Sequence, residues 1–107
     1  EVEIFGTPAN NIALNKPAQL SSVHGSGLYP ASKAVNGNSN DFAHNQNYVA
    51  NEWWRVDLQG RYKLSASEWF NRTDCCKDRM NNYTIQVSLD GVYWTNVSHQ
   101  TTQMARR

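Results

Sequence analysis

An all-β chain, folded as an antiparallel β-sandwich, is the fold class this sequence predicts, and three observations predict it. Two segments alternate apolar and polar residues with a period of two rather than 3.6, an Asp-Gly pair separates two apolar runs, and Gly, Asn and Ser gather in long stretches between them. Short half-buried strands joined by polar turns bury their apolar faces most simply by stacking two sheets.

Residues 25–27 and 36–47, rich in Gly, Asn and Ser, read as loops. The first clear strand follows them, where Trp54, Val56 and Leu58 alternate with Arg55, Asp57 and Gln59. Residues 64–70 are less regular: Glu68 falls on the parity of Leu64 and Phe70, which predicts a bulge or a partly wet face. Tyr83, Ile85, Val87 and Leu89 then alternate with Thr84, Gln86, Ser88 and Asp90. Asp90-Gly91 is the favoured chemistry of a two-residue hairpin turn, with residues 92–97 as the return strand. Residues 100–107 carry no strand pattern and read as a frayed tail.

A length of 107 residues, a formal charge of +1, 39% hydrophobic and 11% aromatic residues suit one globular domain. Ten Lys and Arg against nine Asp and Glu leave no basic stripe, and the basic run is the terminal Arg106-Arg107, so no nucleic-acid partner is expected. No apolar run approaches the roughly 18 residues of a membrane span, so no transmembrane segment is expected; a signal peptide, if the protein is secreted, has been removed or lies upstream. The sequons Asn71-Arg72-Thr73, Asn82-Tyr83-Thr84 and Asn96-Val97-Ser98, together with a disulfide, favour an oxidising, extracellular setting. A glycan on Asn71 would crowd Arg72, so Asn71 is expected to be bare.

The chemistry concentrates in Arg72-Thr73-Asp74-Cys75-Cys76-Lys77-Asp78-Arg79. Two guanidinium groups can bridge neighbouring hydroxyls of a small polyol, and Asp74 can hold one planar fork in place. Adjacent cysteines can close locally only onto each other, and a Cys75–Cys76 disulfide would present a small apolar sulfur face beside the charges. A zinc site would need thiolates two to four residues apart and two more ligands, and a redox dithiol would need two intervening residues. Catalysis is not expected. No Gly-x-Ser-x-Gly turn is present, a disulfide-bonded Cys is no nucleophile, and arginines flanking Asp74 and Asp78 depress carboxyls that a glycosidase acid needs raised.

The order Asn11-Ile12-Ala13-Leu14-Asn15-Lys16-Pro17-Ala18, Ser21-Ser22, Ala31-Ser32-Lys33-Ala34-Val35-Asn36-Gly37-Asn38, Trp53-Trp54-Arg55-Val56-Asp57-Leu58 and Asn71-Arg72-Thr73-Asp74-Cys75-Cys76 resembles the F-type lectins, or fucolectins. The likeness runs over roughly residues 10–88 and implies a jelly-roll, discoidin-like sandwich that binds terminal L-fucose on glycans. It implies that His44, Arg72 and Arg79 hydrogen-bond the sugar, that Asp74 orients the guanidinium groups, and that the Cys75–Cys76 disulfide packs on the ring. Phe42 would form the wall for the C6 methyl, a contact of roughly 0.8 kcal/mol. Tyr48 or His24 can supply part of the histidine's contact, although His24 and His99 otherwise read as ordinary exposed loop imidazoles.

The same resemblance implies structural calcium, held by the Lys33 carbonyl, Asn36, Asn38, Asp41 and Glu1. Relatives carry Asp where this chain has Asn36, and the missing charge should weaken the site. Residues 1–9 resemble the closing strand and linker of a preceding repeat, and residues 10–107 an F-type lectin domain without its usual C-terminal strands. A tandem-repeat parent, multivalent for fucosylated glycans, is the expectation. The alternative is a discoidin-like module of the coagulation-factor C-domain type, binding phospholipid, collagen or galactosides, which residues 83–94 resemble slightly better than they resemble a fucolectin.

Overall fold

A computed structural model of the chain describes residues 1–7, 10–46, 51–72, 74–76, 79–80 and 82–101. The expected class holds: apart from a 3-10 turn over Ala31–Ala34, the regular elements among the described residues are β-strands, β1 (Val2–Gly6), β2 (Ala18–Leu20), β3 (Trp54–Val56), β4 (Leu64–Trp69), β5 (Tyr83–Val87) and β6 (Thr95–Gln100). They pair antiparallel as β1–β4, β2–β3 and β5–β6, the ribbons of an antiparallel β-sandwich.

The leading strand folds onto its own chain. Val2 lies opposite Trp69 and Phe5 opposite Ala66, and the ladder continues one step further, with Phe70 N–H donating to the Glu1 carbonyl at 2.8 Å. The other edge of β1 is covered as well. Ile12 N–H donates to the Ile4 carbonyl at 2.9 Å, and the Asn11 side-chain oxygen accepts from the Ile4 and Ala13 amides at 3.0 and 3.1 Å, so the second edge of β1 is partnered at Ile4. The irregularity expected in residues 64–70 is found on both counts. The register slips between Phe5 and Gly6, and Leu64, Ser65, Ala66 and Ser67 are exposed. Gly6 is required at the slip, because a Cβ there would sit 2.0 Å from the Lys63 carbonyl oxygen.

In the β2–β3 ribbon Leu20 faces Trp54 and Gln19 faces Arg55 across the strands. Trp54 anchors the ribbon inward: its indole N–H donates to the Ala31 carbonyl at 3.0 Å, and its ring meets Trp69 edge-on at 6.1 Å, tying this ribbon to β4. The buried core is built of small residues, Val2, Ile12, Ala13, Ala31, Ala34 and Val35, of which Val35 is wholly enclosed.

The third ribbon departs from expectation. Residues 90–91 do not form a two-residue turn. Asp90 Oδ1 accepts from the Val92 and Tyr93 amides at 2.9 and 3.0 Å, and Ser88 Oγ accepts from the Asp90 and Gly91 amides at 3.2 and 2.9 Å. These side chains take backbone donors that a tight hairpin would have placed in the ladder, so the loop widens and the return strand moves on to Thr95–Gln100. Gln100 is therefore paired, opposite Tyr83, rather than part of a tail. The alternation of β5 holds through Ile85 and ends at the slip between Ile85 and Gln86, beyond which Val87 and Leu89 are exposed. Tyr48, Thr73, Asp78, the linker residues Pro8 and Ala9, and residues 102–107 lie outside the described residues.

Candidate functional site

The end of β4 positions the charged cluster. Asn71, two residues after it, is buried, and its side-chain oxygen accepts the Arg72 amide at 2.9 Å. Arg72 then turns its guanidinium onto two supports. Nε and Nη2 donate to Asp74 Oδ1 and Oδ2 at 2.7 and 2.9 Å, a bidentate fork, and Cζ lies 4.3 Å over the ring of Phe42. The Arg72 fork holds the Asp74 carboxyl far below the usual carboxylate range, with help from the Cys75 amide, and the same fork raises Arg72. Both shifts favour the charged pair. The N–H groups of Arg72 that Asp74 does not take remain available to a ligand's oxygens.

Cys75 and Cys76 are joined by a disulfide, and Cys76 adopts a left-handed backbone with φ of 61°. The Arg79 amide donates to the Cys76 carbonyl at 3.0 Å, so a turn carries the chain from the disulfide to Arg79, which is exposed. Arg72, Asp74 and the disulfide thus form one surface, and the Arg79 backbone is tied to it at Cys76.

A second loop brings Phe42 and His44 to that surface. The His44 amide donates to the Tyr29 carbonyl at 3.0 Å and its carbonyl accepts from the His24 amide at 2.9 Å, so two loops distant in sequence are stitched together at this residue. Four rings gather around the stitch. Tyr29 stacks on Phe42 at 4.8 Å, and His24 meets His44 at 4.6 Å and Tyr29 at 5.5 Å, each edge-on. His44 Nδ1 lies 2.5 Å from the Asn45 carbonyl oxygen. A carbonyl only accepts, so the neutral ring carries its proton on Nδ1 and leaves Nε2 as an acceptor for a hydroxyl.

Of the residues the sequence singled out, the structure brings Phe42, His44, Arg72, Asp74, Cys75 and Cys76 into one continuous region. His24, read as a plain loop imidazole, belongs to the ring cluster, and His99 lies on β6 with Nδ1 2.7 Å from Thr84 Oγ1. Tyr29 was not singled out at all. Its signal is weak: an aromatic residue before Pro30, closing a Gly- and Ser-rich stretch.

The expected metal loop is compact. Glu1 is 5% exposed, and Glu1 Oε2 accepts from the Gly37 amide at 3.0 Å. Burial pushes its carboxyl up, opposed in part by the Gly37 amide. Asn36 Nδ2 donates to Asp41 Oδ2 at 2.8 Å, and Lys33 Nζ lies 3.3 Å from the same oxygen. Partial burial works to raise Asp41, but the Asn36 amide and the Lys33 ammonium outweigh it and lower the carboxyl. Glu1, Asn36, Asn38 and Asp41 gather around one turn and are hard oxygen donors of the kind calcium takes, so the set fits that ion in type. Among the described residues no three His, Cys, Asp or Glu side chains converge on a metal position, so such a site rests on two carboxylates plus neutral oxygens.

A β-sandwich that presents a rigid guanidinium, a carboxylate, an imidazole acceptor and an aromatic wall on one surface has the chemistry of a carbohydrate-binding site. Comparison with known proteins agrees. Residues 33–107 match the model of the NedA-like, galactose-binding domain family of the F5/F8 type C group. Fucolectin-4 of Anguilla japonica is 34% identical over 90 residues, covering 77% of this chain and 50% of that protein. Fucolectin of Anguilla anguilla is 33% identical over 91 residues, covering 77% and 57%, and Fucolectin-6 of Anguilla japonica is 37% identical over 62 residues, covering 53% and 33%. The chain belongs to the galactose-binding-like domain family of the first match and to the F-type lectins. It spans about half the length of the curated relatives it matches, and no solved structure matches it. No helix of the described residues is long and apolar enough to cross a membrane.

Proposed function

We propose that the chain binds terminal L-fucose on glycans, reversibly and without bond chemistry, at the surface formed by His44, Arg72, Asp74 and the Cys75–Cys76 disulfide. One observation carries the reading: Arg72 is fixed from two sides, by Asp74 and by Phe42, before any ligand arrives. A guanidinium held this way donates to adjacent sugar oxygens with little further loss of side-chain entropy. His44 Nε2 accepts one hydroxyl, Arg79 approaches from beyond the disulfide, and the disulfide offers an apolar contact to the C–H face of the ring. Phe42 is held between Tyr29 and Arg72, so its edge is what remains for the C6 methyl. Calcium, in this reading, is structural: Glu1, Asn36, Asn38, Asp41 and the Lys33 carbonyl would hold it. The chain acts outside the cell, and repetition of the module, in tandem or by oligomerisation, raises a weak single-site affinity by effective concentration.

Titration calorimetry with L-fucose and D-galactose tests this, on the wild type and Arg72→Ala, with calcium and then with chelator. The expected result is fucose binding that the substitution abolishes. A well-folded wild type that binds no fucose under either condition removes the reading. A second reading has one observation of its own. Leu89, Val92 and Tyr93, on the loop between β5 and β6, are 79%, 70% and 80% exposed, the kind of apolar spike with which a discoidin-like module inserts into phospholipid. Sedimentation with anionic liposomes separates the two, since a fucose site ignores them.

A further inference from the structure

A shallow, open cleft of about 530 Å³ runs beside β2. Its lining includes the apolar Leu20, Val23 and Pro30 together with Gln19, Trp53 and Arg55. Arg55 is held much as Arg72 is, but with one difference. Its Cζ lies 4.9 Å over the Trp53 ring, and its Nε and Nη2 donate at 3.0 and 2.6 Å to Oε1 of Gln19, its direct partner across the strands. Gln19 is neutral. Among the described residues no carboxylate pairs with Arg55 within 4.0 Å. The nearby acid, Glu52, turns its carboxylate to the Ser21 and Ser22 hydroxyls and the Asn45 amide and does not line the cleft.

A guanidinium fixed in place, uncompensated, beside a half-exposed indole and apolar side chains is a receptor for a planar anion attached to an apolar-faced body. We propose that this cleft is a second glycan subsite that takes a carboxylate-bearing pyranose of the sialic or uronic acid type. The sugar carboxylate pairs with the N–H groups of Arg55 that Gln19 leaves unused. The C–H face of the ring, or an acyl methyl, lies against Trp53 and Val23. None of its lining residues belongs to the proposed fucose surface, and it does not depend on that surface. Asn45 joins the two regions: it follows His44 in sequence, and its amide donates to Ser21 Oγ, the Ser22 carbonyl, Glu52 and the Trp53 carbonyl.

The test is an NMR titration of the full ¹⁵N-labelled chain with the methyl α-glycoside of N-acetylneuraminic acid, with glucuronic acid, and with acetate as a bare carboxylate. Saturable shifts of the Trp53 indole and Arg55 Nε signals are expected with an acidic sugar, weaker by about tenfold or more in Arg55→Gln and unaffected by saturating L-fucose. Arg55→Lys, which keeps the charge and loses the planar fork, should weaken binding as well and serves if Arg55→Gln does not fold. The proposal is overturned if neither sugar gives saturable shifts, if acetate binds as well as the sugars, if binding survives the Arg55 substitutions, or if L-fucose displaces the acidic sugar. Because fucose is read out separately in the same samples, failure here and failure at Arg72 are distinguishable.

Discussion

Replacing Phe42 with leucine separates two jobs that one ring can do at the proposed fucose surface. Leucine keeps an apolar wall of similar reach but removes the π face that lies 4.3 Å from Arg72 Cζ. A cation–π contact at a partly exposed site contributes about 1 kcal/mol, which corresponds to roughly a fivefold change in Kd. The methyl contact contributes about 0.8 kcal/mol, roughly fourfold. The two effects are similar in size, so one sugar cannot tell them apart. D-Arabinose shares the hydroxyl pattern of L-fucose and lacks its methyl, and it can. If Phe42 acts by steadying Arg72, Phe42→Leu weakens L-fucose and D-arabinose by the same factor, near fivefold by calorimetry. If Phe42 acts as a methyl wall, Phe42→Ala weakens L-fucose alone and brings its affinity down to that of D-arabinose. Equal binding of both sugars by wild type and Phe42→Leu would refute the argument that the ring holds the guanidinium.

Two further outcomes follow from the core and the Glu1 turn. Val35→Ala removes two carbons from a wholly enclosed position and should cost about 2–3 kcal/mol, seen as a lower urea midpoint with unchanged slope; a loss under about 1 kcal/mol would mean that the site collapses freely. Burial raises the Glu1 carboxyl, so the folded chain binds this proton more tightly than the unfolded one. Stability from this group is therefore greatest below the ordinary glutamate range and falls as pH rises through the folded value. Glu1→Gln should flatten that fall in chemical denaturation, and calcium, if it binds, should reverse it in the wild type and not in Glu1→Gln.

The period-two segments gave the strands away because each has one face toward the core: Trp54 and Val56 face inward with Ala18 and Leu20, and Tyr83 and Ile85 hold their side of β5. The Asp90-Gly91 turn misled because a dipeptide preference carries no information about Ser88, whose hydroxyl captures the Asp90 and Gly91 amides and widens the loop. Arg72 and Asp74 were legible, since two residues of chain suffice to form their fork. The ring cluster was legible only in part. Tyr29 and His24 reach Phe42 and His44 through backbone bonds between the His24–Tyr29 region and His44, and a contact across loops leaves no periodic trace in either one. Arg55 and Gln19 met for a similar reason: cross-strand register, not spacing, makes them neighbours.

The pairing of β1 with β4 also sets an order of events. Val2 and Trp69 are partners, so β1 leaves the ribosome 69 − 2 = 67 residues before the strand it needs. At roughly 5–20 residues per second, β1 waits several seconds with its Val2 and Ile4 side chains uncovered, whereas β5 and β6 close a local hairpin almost as soon as both have emerged. Closure of the domain is thus a late, long-range step. A factor that occupies residues 2–6 during that interval would compete with β4 for the same strand.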